Sequence, residues 1–95
     1  MKNIKHILNN CKKYRTFNKY ANDKRFNVRS YLARCEKCPV HILENLAEDR
    51  NVHVRLAVTK NKKCTASILE KLSDDEKVSV FYNVLLHKNC PISIK

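Results

Sequence analysis

The sequence predicts an all-α fold: a short solenoid of about three two-helix repeats of 26 residues behind an N-terminal helical cap. Three observations carry this expectation. The 95 residues include no glycine and only two prolines, which argues against the many tight turns of a strand-rich fold. Apolar residues recur at helical spacing over short stretches. The chain also repeats itself at a fixed step, the mark of stacked-repeat architectures.

Cys38, Cys64 and Cys90 lie 26 residues apart, and the columns around them follow in register. Val28, Val54 and Val80 form one column, and Leu32, Val58 and Val84 another. Ile42-Leu43 falls on Ile68-Leu69, with Ile94 at the same step from Ile68, and Leu46 falls on Leu72. Asp23, Asp49 and Asp75 make a polar column, and Phe17, Tyr20 and Ala21 align with Leu43, Leu46 and Ala47.

Taken in order, residues 1–16 hold Ile4, Ile7, Leu8 and Cys11 at i, i+3, i+4 and i+7, one apolar helix face, and are assigned to the cap. Repeats occupy 17–95: a partial unit over about 17–37, full units over 38–63 and 64–89, and a truncated one over 90–95. Each full unit contains two short helix patterns of about two turns. The first follows the cysteine, with Ile68, Leu69 and Leu72 on one face. Thr65 suits its N-cap, because a hydroxyl can accept an orphan backbone N–H; Pro39 and Pro91 stand in the same column, where a missing N–H costs little. The second pattern, NVHVRLAVTKN, places Val54 and Val58 four apart. Neither helix buries its apolar face alone, so neighbouring units must stack. Ile92 and Ile94 then lie near an uncovered end, which allows self-association there.

The same composition excludes several function classes. Without glycine there is no P-loop, dinucleotide-binding turn or serine-nucleophile elbow. The start of the chain lacks an apolar run of signal-peptide length and no segment reaches the length of a membrane span, so a cytoplasmic location is expected, with no membrane partner. Five cysteines, an odd number, fit free thiols better than a disulfide framework. Cys35-x-x-Cys38 and His87-x-x-Cys90 have metal-ligand spacing, and Cys11 could join the first pair. Stacked helices roughly 8–10 Å apart cannot gather the column cysteines around one metal or into a disulfide. The favoured reading is a small, half-buried residue at each helix start, with no metal site and no cofactor. His6, His41, His53 and His87 share no column and none stands in a recognisable pairing with a nucleophile, so no catalytic residue is assigned.

The unit N-x-x-[CT]-[PT]-x-x-I-L-E-x-L-[AS]-x-D-x-x-V-x-V-R-x-x-V resembles the leucine-rich repeat variant family, one of the HEAT-like helical repeats. The matching residues run from Cys38-Pro39, Ile42-Leu43-Glu44, Leu46-Ala47, Asp49, Val54-Arg55, Val58 and Asn61 to Cys64, Ile68-Leu69-Glu70, Leu72, Asp75, Val80, Val84 and Cys90-Pro91. The resemblance covers about residues 17–94. It implies a right-handed superhelix of short helices with 3₁₀ turns, and a binding scaffold rather than a catalyst. The sequence departs from the family in its Asn61-Lys62-Lys63 loop, in Phe81 where an arginine is usual, and in its slightly longer unit. An iron–sulfur domain, which some members carry, has no counterpart. Arg29 and Arg55 follow the column valine and could contact phosphate; the family pattern favours an internal pair with the acidic turn just before, such as Arg55 with Glu48 or Asp49.

Charge points to the second class of partner. Twenty Lys and Arg against nine Asp and Glu give a net charge of +11. The repeat phase sorts it onto two edges. Residues 22–25, 48–51 and 74–77 bring six carboxylates against four cations. Residues 34–37, 60–63 and 86–89 bring Arg34, Lys37, Lys60, Lys62, Lys63 and Lys88 against Glu36 alone. Lys12, Lys13 and Arg15 flank Tyr14 in a further basic cluster near the start. These nine cations are the candidate polyanion site, able to neutralise phosphates and release counterions. The first expectation is a non-enzymatic module that binds a protein partner; the alternative is an electrostatic nucleic-acid-binding module using the basic N-terminal region and the basic loop edge.

Overall fold

The computed structural model describes residues 14–94, and side chains from residue 17 onward. The helix face of Ile4, Ile7, Leu8 and Cys11 lies outside the described residues. Among the described residues six α-helices follow one another: α1 Tyr14–Tyr20, α2 Phe26–Arg34, α3 Val40–Leu46, α4 Val52–Thr59, α5 Ala66–Leu72 and α6 Val78–Leu86. No strand occurs among the described residues. Helix α1 starts at Tyr14, ahead of the expected boundary at residue 17. Bonds of i→i+3 type close helix ends and turns, such as Cys64 N–H to Asn61 O and Cys90 N–H to His87 O.

Local chemistry sets the helix starts. Thr65 caps α5, its hydroxyl accepting the Ile68 N–H at 3.3 Å. Pro39 takes the same place before α3, with the extended backbone its ring favours. Helices α2, α4 and α6 begin behind the aspartate column. Asp23, Asp49 and Asp75 each accept the backbone N–H two residues on, from Arg25, Asn51 and Lys77, at 2.9 Å in all three turns. An aspartate turn of this kind redirects the chain and leaves the next residue but one in position to cap. At α4, that residue is Asn51, whose own side chain accepts the His53 N–H.

The apolar columns become the core. Val28, Val54 and Val80 are fully buried, as are Leu32, Val58 and Val84. Leu43 and Leu69 join them, and Phe17 fills their column at the start. Cys38, Cys64 and Cys90 are buried, where half-burial was expected, because each helix-start sulfur packs into this same cluster. Helix α2 lies against α4 and α4 against α6, while α1 packs on α2, α3 bridges α2 and α4, and α5 supports α6. The result is elongated, 43 × 21 × 17 Å. Ile92 is exposed, whereas Ile94 packs partly buried against the core and so does not stand uncovered.

Candidate functional site

Two sets of turns flank the α2, α4 and α6 row, and each has its own bonding pattern. In the acidic turns Asp23, Asp49 and Asp75 are engaged internally. Asp49 takes Arg29 in a fork, Nε at 2.7 Å and Nη2 at 3.1 Å, and Asp75 takes Arg55 in the same way at 2.6 and 3.3 Å. The remaining Nη1 of each arginine donates to a main-chain carbonyl, Asp23 O for Arg29 and Asp49 O for Arg55. An internal pair was the favoured expectation, but its direction differs. Arg55 reaches forward to Asp75, takes only the carbonyl of Asp49, and leaves Glu48 to Lys71. The preceding carboxylate is already held by another guanidinium, Asp23 by Arg25 and Asp49 by Arg29, which leaves its main-chain carbonyl to the arginine.

Burial by itself would raise the Asp49 pKa. The Arg29 hydrogen bond, the Asn51 N–H and the charges of Arg29 and Arg50 outweigh it and hold the carboxyl below its ordinary value. Asp23 is also lowered, chiefly by its hydrogen bond from Arg25 and despite some desolvation.

The basic turns are fastened by amides and an imidazole, not by their charges. Asn61 Nδ2 donates to Ala33 O at 2.8 Å and Cys35 O at 2.9 Å, while its Oδ1 accepts the Lys63 N–H. His87 stands 26 residues later and reproduces that geometry. Its Nδ1 accepts the Asn89 N–H at 3.0 Å, which leaves the proton on Nε2 to donate to Asn61 O at 2.8 Å. Asn89 adds bonds to Lys62 O and Cys64 O. Sequence reasoning missed this role of Asn61 and His87. The signal was their shared column, hidden because one is an amide and the other a ring.

Arg34, Lys37, Lys60, Lys62, Lys63 and Lys88 are all exposed on these turns. None of them forms an ion pair among the described residues. Four of them, Lys37, Lys62, Lys63 and Lys88, line one cleft of about 730 Å³ with a single acid, Glu36. Arg34 and Lys60 lie instead at a groove of about 740 Å³ between α2 and α4. Lys12 and Lys13 lie outside the described residues, as does the side chain of Arg15.

That groove is mostly apolar. Phe26, Tyr31 and Leu56 line it, with Phe26 set against the His53 ring at 5.6 Å. The Ser30 hydroxyl also lies in its wall, buried and without a hydrogen-bond partner. Twenty-six residues beyond Leu56 and Lys60, Tyr82 and Leu86 of α6 are exposed.

Cys38 and Cys64 offer no reactive thiol in the core: burial pushes both up to about 12, so neither carries thiolate near neutrality. Among the described residues no three His, Cys, Asp or Glu side chains are grouped so as to hold a metal ion. No described helix is long and apolar enough to cross a membrane. No protein-family model matches the chain, and no curated protein or solved structure is similar to it.

Proposed function

We propose that the protein is a non-enzymatic interaction module, a short solenoid of about three 26-residue units whose α2–α4–α6 face docks a segment of a protein partner. The solenoid reading is supported by bonds that recur at the repeat step: Arg29 to Asp49 and Arg55 to Asp75, then Asn61 to Cys35 O and His87 to Asn61 O. The motif resemblance to the leucine-rich repeat variant family points the same way.

The docking reading rests on the groove between α2 and α4. Phe26, Tyr31 and Leu56 supply apolar and aromatic anchors of the kind that dominate protein recognition. Arg34 and Lys60 at one end favour a carboxylate there. The occupant is therefore a peptide segment with one or two large apolar side chains and an acidic residue beside them.

A phage-displayed peptide library selected on the full chain tests this, with a Tyr31→Asp/Tyr82→Asp variant as counter-target and helicity checked by circular dichroism. Both tyrosines are exposed, so the variant should fold. The expected outcome is enrichment of apolar-plus-acidic sequences that bind the variant at least about tenfold more weakly, a loss in the range of truncated interface anchors. Absence of any enriched motif, or equal binding to the folded variant, would overturn it.

A further inference from the structure

We infer that the basic turns form a second site, which shares Arg34 and Lys60 with the end of the groove and binds the phosphate backbone of a nucleic-acid duplex. The cations come in pairs at the repeat step: Arg34 with Lys60, Lys37 with Lys63, and Lys62 with Lys88. Each pair therefore sits on neighbouring turns, about 10 Å apart if the turns follow the spacing of packed helices, so that its members meet different phosphates. All six are exposed and free of ion pairs among the described residues.

Three features make this more than a solvated surface. First, the turns are held rigidly. Asn61 ties its turn to the carbonyls of Ala33 and Cys35, and His87 and Asn89 tie the next turn to Asn61, Lys62 and Cys64. The backbone carrying the lysines is thus ordered before any ligand arrives, which reduces the entropy cost of binding. Second, Asp49, Asp75 and Asp23 on the opposite edge are already matched by Arg29, Arg55 and Arg25, so they do not offset the lysines at short range. Third, Lys37, Lys62, Lys63 and Lys88 converge on one cleft beside Pro39, and Glu36 is its only acid.

The residues also discriminate between ligand classes. Among the described residues the cleft has no exposed aromatic or large aliphatic anchor of the kind a protein partner would use, since Phe17 in its wall is buried. Nor do the described residues present there a ring on which single-stranded bases could stack. What remains is a regular array of point charges. That suits a regular array of phosphates, read without base contacts and with strong salt dependence.

The test is fluorescence anisotropy of the full chain with a mixed-sequence labelled DNA duplex, and with labelled oligo-dT of the same length, over a salt series. Engagement of all six cations loses about 10³ in affinity between about 50 and 200 mM salt. The variant K62E/K63E/K88E should bind at least about tenfold more weakly at low salt and lower the salt slope by about 3. A control, K24E/R50E/K77E, makes the same change of net charge on the opposite edge and should bind nearly as the parent does. Circular dichroism confirms that both variants keep their helices.

Loss of affinity that is equal in the two variants would overturn the site, reducing the effect to net charge. Unchanged binding by K62E/K63E/K88E, or no binding by the parent at low salt, would also overturn it. Tighter binding of oligo-dT than of duplex would reject the duplex assignment, and equal displacement by poly-glutamate at matched charge would transfer the edge to acidic polypeptides. None of the substituted residues lines the groove, so the peptide-docking reading stands or falls on its own selection experiment.

Discussion

The acidic and basic turns lie on opposite edges of the same row of helices, yet they use charge in opposite ways. On the acidic edge, the aspartates start helices and receive buried arginines from the unit before, so their charge is structural. On the basic edge, neutral groups hold the turns together and the lysines are left to solvent. A carboxylate accepts several N–H groups at once and is well matched to a guanidinium fork, whereas a lysine on a flexible stem loses entropy when fixed. The comparison separates the charges that support the fold from those available to a partner.

The comparison can be broken most forcefully at the buried pairs. Replacing Arg29 with Ala leaves Asp49 partly buried without its cation and frees the Asp23 carbonyl. Loss of one partner of a buried pair costs about 3–5 kcal/mol. Urea unfolding with an unchanged slope should show that loss as a lower midpoint; a midpoint within error of the parent would mean that the acidic edge is not structural.

A smaller effect is expected at Asn61. Its replacement by Ala strands the Ala33 and Cys35 carbonyls and costs about 1–3 kcal/mol. His87 fills the same column with the same acceptor and one of the two donor bonds, so Asn61→His should retain part of the stability that Ala loses. If histidine proves as damaging as alanine in thermal or urea unfolding, the two residues are not equivalent and the basic turns are held by something else.

The smallest effect sharpens the contrast. Exposed substitutions away from buried features usually stay within about 0.5 kcal/mol each. The variant K62E/K63E/K88E should therefore unfold at nearly the same urea concentration as the parent. A large drop would show that the lysines support the fold and are not held free for a ligand.

Much of the helical layout was legible in the sequence. Val28, Val54 and Val80, with Leu32, Val58 and Val84, announced a core by their spacing, and they are fully buried. Thr65 announced a helix start, and it caps one. The basic edge was also legible, because its phase along the chain already separated it from the acids. The groove was not. Phe26, Tyr31 and Leu56 belong to different columns and become neighbours only when α2 lies beside α4. Burial of the cysteines was underestimated because the 26-residue step that marks them as a column does not say how deeply a small side chain sits.

By itself, then, the sequence determined the period, the helix positions and the identity of the buried apolar columns. Those depend on local spacing and on the cost of exposing apolar surface, which are properties of each short stretch. Tertiary structure decided which polar groups meet. A strict repeat presents every arginine with an aspartate both behind and ahead, and the column pattern is the same for either pairing. Only the packing of one unit on the next, with Asp49 turned toward Asn51 and open to Arg29, selects the forward carboxylate and the backward carbonyl.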